Sequence, residues 1–140
     1  LINELAIGTA PIKKSDFNLL KKEGIISILS LCDPNEYIID ENINIKYYFN
    51  FKRVIIPDHK TGKFPKIKDI QLALMVLSEL ISKGPVYVHC LASVERSPLI
   101  CIAWLMMKHN LSPQESLDYL MQVHPGTNPL PGQLSILNEL

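Results

Sequence analysis

A surplus of either charge is missing from this chain. Its 14 Lys and Arg balance 14 Asp and Glu, so it offers no general attraction to nucleic acid or to an anionic bilayer, and no nucleic-acid partner is expected. Lys13, Lys14, Lys21 and Lys22 form a small basic cluster, which reads as a solvated helix face. Cysteine is scarce: Cys32, Cys90 and Cys101 are too few, and odd in number, for a disulfide framework. A reducing, cytoplasmic compartment is the simpler expectation. No apolar run reaches the roughly 18 residues of a membrane-spanning helix; the longest, around Trp104, is broken by Lys108. No signal peptide is visible, and there is neither an internal repeat nor a low-complexity linker.

What is present is a core-forming composition, 47% hydrophobic and 20% charged over 140 residues, which fits one domain over 1–140. Short apolar runs alternate with amphipathic stretches, as in an α/β chain. Leu5 to Ile7 reads as a strand closed by Gly8. Ser15 is placed to cap a helix running to Glu23, with Gly24 at its stop. Ile25 to Leu31 reads as a buried strand ended by Asp33-Pro34-Asn35. Tyr47 to Phe49 and Val54 to Ile56 are further strand candidates, and Pro57 opens a loop to Pro65. Ile70, Leu74, Leu77 and Ile81 are spaced for a helix over 67–82, ended by Gly84-Pro85. Val86-Tyr87-Val88 is a buried strand aimed at His89 and Cys90. Ser97-Pro98 and Ser112-Pro113-Gln114-Glu115 carry helix-start signals, the second a capping box. The latter helix should end near His124-Pro125-Gly126, and a last helix should follow Pro131-Gly132.

The chemistry concentrates in Val86 to Pro98, VYVHCLASVERSP. A strand ends in His-Cys, five residues intervene, and Arg-Ser opens a helix. A short loop between a strand end and a helix N-terminus turns backbone N–H groups inward, which favours a dianionic phosphate and, equally, a thiolate at Cys90. A thiolate can attack phosphorus. Arg96 closes the loop and can hold two phosphate oxygens with its planar fork, stabilising charge in the transition state. Asp58, on the loop after a strand, can fold back as general acid and then as the base that activates water. Ser97 is placed to hydrogen-bond the Cys90 sulfur, and His89 to hold the loop. By chance this pattern should occur in about one chain in a thousand of this length.

These residues resemble the dual-specificity branch of the cysteine-dependent protein tyrosine phosphatase superfamily. IGTAPIKKSDFNLLKKEGIISILSLCDP looks like its opening strand, helix and second strand, VIIPDH like its general-acid loop, VHCLASVERSP like its phosphate-binding signature, and NPLPGQL like the segment before its closing helix. The low-molecular-weight tyrosine phosphatases share the loop chemistry but place the signature before the acid. The resemblance implies a single α/β domain with a central, mostly parallel sheet flanked by helices, a phosphocysteine intermediate, no cofactor and no metal. It carries over Cys90, Arg96, Asp58 and Ser97 as catalytic, the backbone amides of Leu91, Ala92, Ser93, Val94, Glu95 and Arg96 as phosphate ligands, and Asn128 and His89 as loop supports. Some relatives have a cysteine near the position of Cys32 that forms a reversible disulfide with the nucleophile; a buried apolar thiol is the plainer reading here. Cys101 reads as core.

Two residues depart from the family pattern. Ser93 stands where Gly is usual, at a place suited to positive φ. Glu95 stands where a small or basic residue is common. A carboxylate at the rim should repel dianions, so highly phosphorylated inositol lipids are expected to be poor substrates, unless Glu95 pairs with a basic residue. His59, Asp58 and His89 lack metal-ligand spacing. Three readings follow: an active phosphatase on phosphotyrosine, phosphoserine or phosphothreonine proteins, with phosphorylated sugars or lipids less favoured; a non-catalytic phosphate-binding module; and a rhodanese-like sulfur transferase, which needs neither Asp58 nor a Ser97-Pro98 helix start.

Overall fold

The structure, a computed structural model, describes residues 4–140. Four short parallel strands make one sheet: β1 (Leu5–Gly8), β2 (Ser27–Ser30), β3 (Asn50–Arg53) and β4 (Val86–His89), in the order β1-β4-β2-β3. Register and alternation explain its two covered faces. Ile7, Val88 and Leu29 lie side by side and join the larger apolar cluster, whereas Ala6, Tyr87, Ile28 and Phe51 share the next row and join the smaller one.

Helices α3 (Ile67–Ile81) and α4 (Arg96–His109) pack against the sheet and each other, and α5 (Pro113–Val123) packs on α4. Residues 96–105 of α4 are all buried, as expected for a central helix, so Trp104, Leu105 and Cys101 are core as read from sequence, with Met106 packed against that core. Helix α1 (Lys14–Lys22) lays Phe17 into the smaller cluster with Ile25, Ile28 and Phe49. Two short helices complete the domain, α2 (Ile45–Tyr48) and α6 (Pro131–Ile136).

Several boundaries differ from the sequence reading. Helix α1 starts at Lys14, not after a Ser15 cap, because the Asp16 carboxylate accepts from the amides of Ile12 and Lys13, both at 3.0 Å. Tyr47–Phe49 is not a strand: it belongs to α2 and its end, with Tyr47 and Tyr48 facing solvent. The strand expected at Val54–Ile56 lies earlier, at Asn50–Arg53; the amides of Val54 and Ile56 still bond the carbonyls of Ser30 and Leu31 beyond the regular ladder. Helix α4 begins at Arg96 rather than after a Ser97 cap. Ser97 therefore lies within the first turn, and its hydroxyl is free for the site. The Ser112 capping box is present, Ser112 Oγ accepting from the Glu115 amide at 3.1 Å and Glu115 Oε1 from the Ser112 amide at 3.0 Å. No helix among the described residues is long and apolar enough to cross a membrane.

Candidate active site

Because all strands run parallel, the loops after β2, β3 and β4 leave the same edge of the sheet, where open α/β folds place their ligands. These loops deliver Glu36, Asp58 and Cys90. The six-residue stretch from Cys90 to Glu95 joins β4 to α4. Cys90 is 2% exposed, and its sulfur lies 3.2 Å from Ser97 Oγ. Among the described residues, no backbone amide of Leu91 to Arg96 donates to another protein group. The loop and the N-terminus of α4 together leave a run of donors without protein acceptors directly after Cys90.

Ser93 takes φ +58°, a left-handed conformation that costs a non-glycine residue about 1 kcal/mol. Its surroundings offset that cost. Ser93 Oγ lies 3.2 Å from Ser97 Oγ and 3.0 Å from His124 Nε2, and the same nitrogen lies 2.7 Å from the Ser93 carbonyl. The Asn128 amide donates to the Val94 carbonyl at 2.7 Å, so Asn128 touches the loop through its backbone. His89 is fully buried. Its Nδ1 must donate to the Cys90 carbonyl at 3.0 Å, an acceptor only, which leaves Nε2 to accept from Tyr37 Oη at 3.4 Å. Burial pushes its pKa down to about 4.

Arg96 is buried at the centre. Its Nη1 and Nη2 meet Glu36 Oε2 and Oε1 at 2.9 and 2.7 Å, and Nη1 also donates to the Ile56 carbonyl at 3.2 Å. Burial opposes its charge, but the Glu36 carboxylate and the Cys90 sulfur more than offset that and raise its pKa above the usual value. Asp58 Oδ2 lies 3.8 Å from Arg96 Nη2. Burial would raise the Asp58 pKa; the Arg96 guanidinium, the Lys60 amide and the side chains of Glu95 and His59 hold it below the ordinary value. Glu95 is not a bare charge at the rim: His59 Nδ1 lies 2.6 Å from its Oε1 and 3.1 Å from Asp58 Oδ1. Asp58, His59 and Glu95 thus bring a ligand atom each within 4.8 Å of one another; the trio considered from sequence does not form, since His89 faces Tyr37 instead. Cys32 is fully buried, and its thiol is pushed up to about 12 chiefly by desolvation.

The family model for the dual specificity phosphatase catalytic domain matches residues 13–140. The chain belongs to this family. This phosphatase-family chain is 25% identical over 136 residues to the phosphatidylglycerophosphate phosphatase PTPMT2 of Arabidopsis thaliana, covering 96% of this chain and 58% of that protein. It is 29% identical over 116 residues to dual specificity protein phosphatase 6 of Homo sapiens, covering 82% of this chain and 29% of that protein. The chain therefore spans little more than half the length of one of these relatives and under a third of the other. Among solved structures, Tk-PTP in its active form superposes with a TM-score of 0.84 at 22% identity, over 98% of this chain and 90% of that one. That likeness establishes the shared fold: an α/β domain with a parallel sheet flanked by helices.

Cys90, Arg96, Asp58, Ser97 and the amides of the loop are brought to one place. Glu36, His59 and His124 were not singled out for this site from sequence. Glu36 had a local signal, since Asp33-Pro34-Asn35-Glu36 reads as a capped turn, and its side chain does bond the Asp33 amide at 2.7 Å. Its reach to Arg96 needs the adjacency of β2 and β4, which no local pattern encodes.

Proposed function

We propose that this phosphatase hydrolyses phosphomonoesters through a phosphocysteine at Cys90. The observation that carries the reading is that the amides of Leu91 to Arg96, on the loop that follows Cys90, have no protein acceptor among the described residues, and that the guanidinium ending this loop has one edge taken. Glu36 occupies the Nη1–Nη2 edge. The planar fork has a second edge, Nε with the remaining Nη2 hydrogen, suited to two phosphate oxygens. The amides and Arg96 hold the phosphoryl oxygens, and the Cys90 thiolate attacks phosphorus opposite the leaving oxygen. The P–O bond breaks as Asp58 gives that oxygen its proton. Asp58, now a carboxylate, takes a proton from water; the water oxygen attacks phosphorus, the S–P bond breaks, and Ser97 donates to the departing sulfur. Inorganic phosphate leaves. Asp58 must enter this cycle protonated. The dianion supplies that condition, since its charge beside Arg96 weakens the attraction that keeps Asp58 ionised in the free site.

The substrate we favour is a phosphorylated Tyr, Ser or Thr in a protein, handled by residues 1–140 as one catalytic domain in a reducing, cytoplasmic compartment, where its described cysteines stay free. A second reading is a single phosphate on a lipid headgroup. It is favoured by the name of the Arabidopsis relative and by apolar side chains exposed on the signature loop, Leu91 and Val94. Wild type should hydrolyse a generic aryl phosphate, Cys90→Ser should have no activity, and Asp58→Ala should lose about 10²- to 10⁴-fold in kcat. A trapped phosphoenzyme supports the mechanism; full activity in Cys90→Ser overturns it. Relative kcat/KM on phosphopeptides and on phosphatidylglycerophosphate vesicles decides the substrate class. Binding of phosphopeptide without turnover would point to the non-catalytic module, and thiosulfate-to-cyanide transfer to the sulfur transferase.

A further inference from the structure

A chain of polar side chains runs from the last third of the sequence to the sulfur. His124 Nε2 lies 3.0 Å from Ser93 Oγ, Ser93 Oγ lies 3.2 Å from Ser97 Oγ, and Ser97 Oγ lies 3.2 Å from Cys90 Sγ. Its direction follows from its two ends. The Ser93 carbonyl, 2.7 Å from His124 Nε2, can only accept, so Nε2 carries a hydrogen. That N–H is shared between the Ser93 carbonyl and Ser93 Oγ. Accepting there turns the Ser93 hydroxyl hydrogen towards Ser97 Oγ, and Ser97 in turn directs its own hydrogen at the sulfur. Ser93 and Ser97 are 1% and 0% exposed, so solvent does not compete for either hydroxyl. Bonds aligned in one sense polarise each other, and a charged acceptor at the end strengthens the chain.

We propose that His124, acting through Ser93, is a positioning residue that orients the Ser97 hydroxyl towards Cys90 and stabilises its thiolate. The proposal rests on the reading of Cys90 as nucleophile. It also accounts for a serine where the family commonly has glycine: the hydroxyl adds a donor, and the two contacts to His124 hold the left-handed backbone that glycine adopts without help. No proton is transferred. The other titratable groups that bear on Cys90 are Arg96, Cys32, Tyr87, Cys101 and its neighbour His89, and none is a link in this chain.

The test is the pH profile of Cys90 alkylation by iodoacetamide, read by peptide mapping on the intact chain. Ser93→Gly keeps the backbone conformation and removes the hydroxyl. His124→Phe keeps ring volume and removes the donor, whereas His124→Gln keeps an N–H near the position of Nε2. Ser93→Gly and His124→Phe should each move the alkylation midpoint up by about one pH unit, a tenfold loss of thiolate at fixed pH. The double variant should move it no further, because both changes cut one chain, and His124→Gln should stay near wild type. An unmoved midpoint in Ser93→Gly, or equal shifts in His124→Gln and His124→Phe, overturns the proposal. Aryl phosphate hydrolysis is scored separately. A shifted midpoint in a chain that turns over no phosphate would retire the phosphatase mechanism and leave the hydrogen-bond chain standing; turnover with unmoved midpoints would do the reverse.

Discussion

Arg96 has a charge that folding must bury and a fork that the proposed chemistry needs, and Glu36 serves both. Its bidentate contact satisfies the end of the guanidinium, and its second role at the Asp33 amide fixes where the carboxylate sits. Removing one partner of a buried pair costs more than the pair contributes, because the remaining charge is left without compensation. Glu36→Ala should therefore destabilise the fold by about 3 kcal/mol and lower kcat/KM about 100-fold, as the fork loses its fixed orientation and a misplaced group of this kind costs that much. Urea unfolding and steady-state kinetics on an aryl phosphate check the two effects. A normal kcat/KM in Glu36→Ala would show that Arg96 is held well enough by the Ile56 carbonyl. That Cys90, Arg96 and Asp58 would share one site was legible, because one short segment and one loop carry them. Glu36 was not, because its signal is a turn and its partner is on another strand.

In the proposed mechanism, the position of the loop after β3 decides whether Asp58 reaches the leaving oxygen. Within it, Asp58 caps the turn His59–Thr61, and His59 reaches across to Glu95 on the signature loop at 2.6 Å. That contact ties the two loops together, one residue from Asp58 and one from Arg96. It also decides between the two readings of Glu95 left open by sequence, a bare charge at the rim or a carboxylate paired with a basic residue, in favour of the pair. With His59 bound to it, the carboxylate serves as an anchor, and its repulsion of a dianion is offset whenever the imidazole is protonated. His59→Ala should lower kcat about tenfold by freeing the acid loop, and raise KM by exposing an unpaired Glu95 to the phosphate. Glu95→Ser in the same background should restore KM but not kcat, a split that steady-state kinetics reads directly. Element boundaries followed the same logic as this loop. The Ser112 capping box and the α3 spacing are local and were read correctly. The starts of α1 and α4 differ from the reading because Asp16 reaches back to the amides of Ile12 and Lys13 and sets Lys13 as the cap of α1, and Ser97 lies in the first turn of α4 with its hydroxyl 3.2 Å from the Cys90 sulfur.

Across the whole molecule, the sheet buries a polar site inside an apolar core. Parallel strands covered on both faces made the fold class legible from short apolar runs, whereas strand order and the pairing of distant loops depend on contacts no local pattern specifies. One consequence is a pH term in global stability that originates at His89. In the fold it is fully buried, with Nδ1–H on the Cys90 carbonyl and Nε2 turned to Tyr37, and its pKa is pushed down to about 4; unfolded, it returns to about 6.5. The unfolded chain therefore binds the proton first as pH falls. The stabilisation is fully present above about pH 6.5 and is lost progressively down to about pH 4. Between pH 7 and 4.5 this amounts to about 2 kcal/mol. Asp16, Asp58 and Glu115, whose pKa values are lowered, act with the same sign, but their stabilisation is lost mainly below that interval. His89→Asn keeps a donor to the Cys90 carbonyl and removes the titration. Urea midpoints measured at half-unit steps should fall with pH in wild type and run flatter in His89→Asn, the difference closing to a constant above pH 7. Parallel curves for the two proteins would mean that the His89 proton is not excluded by folding, and that another group sets the acid sensitivity of the domain.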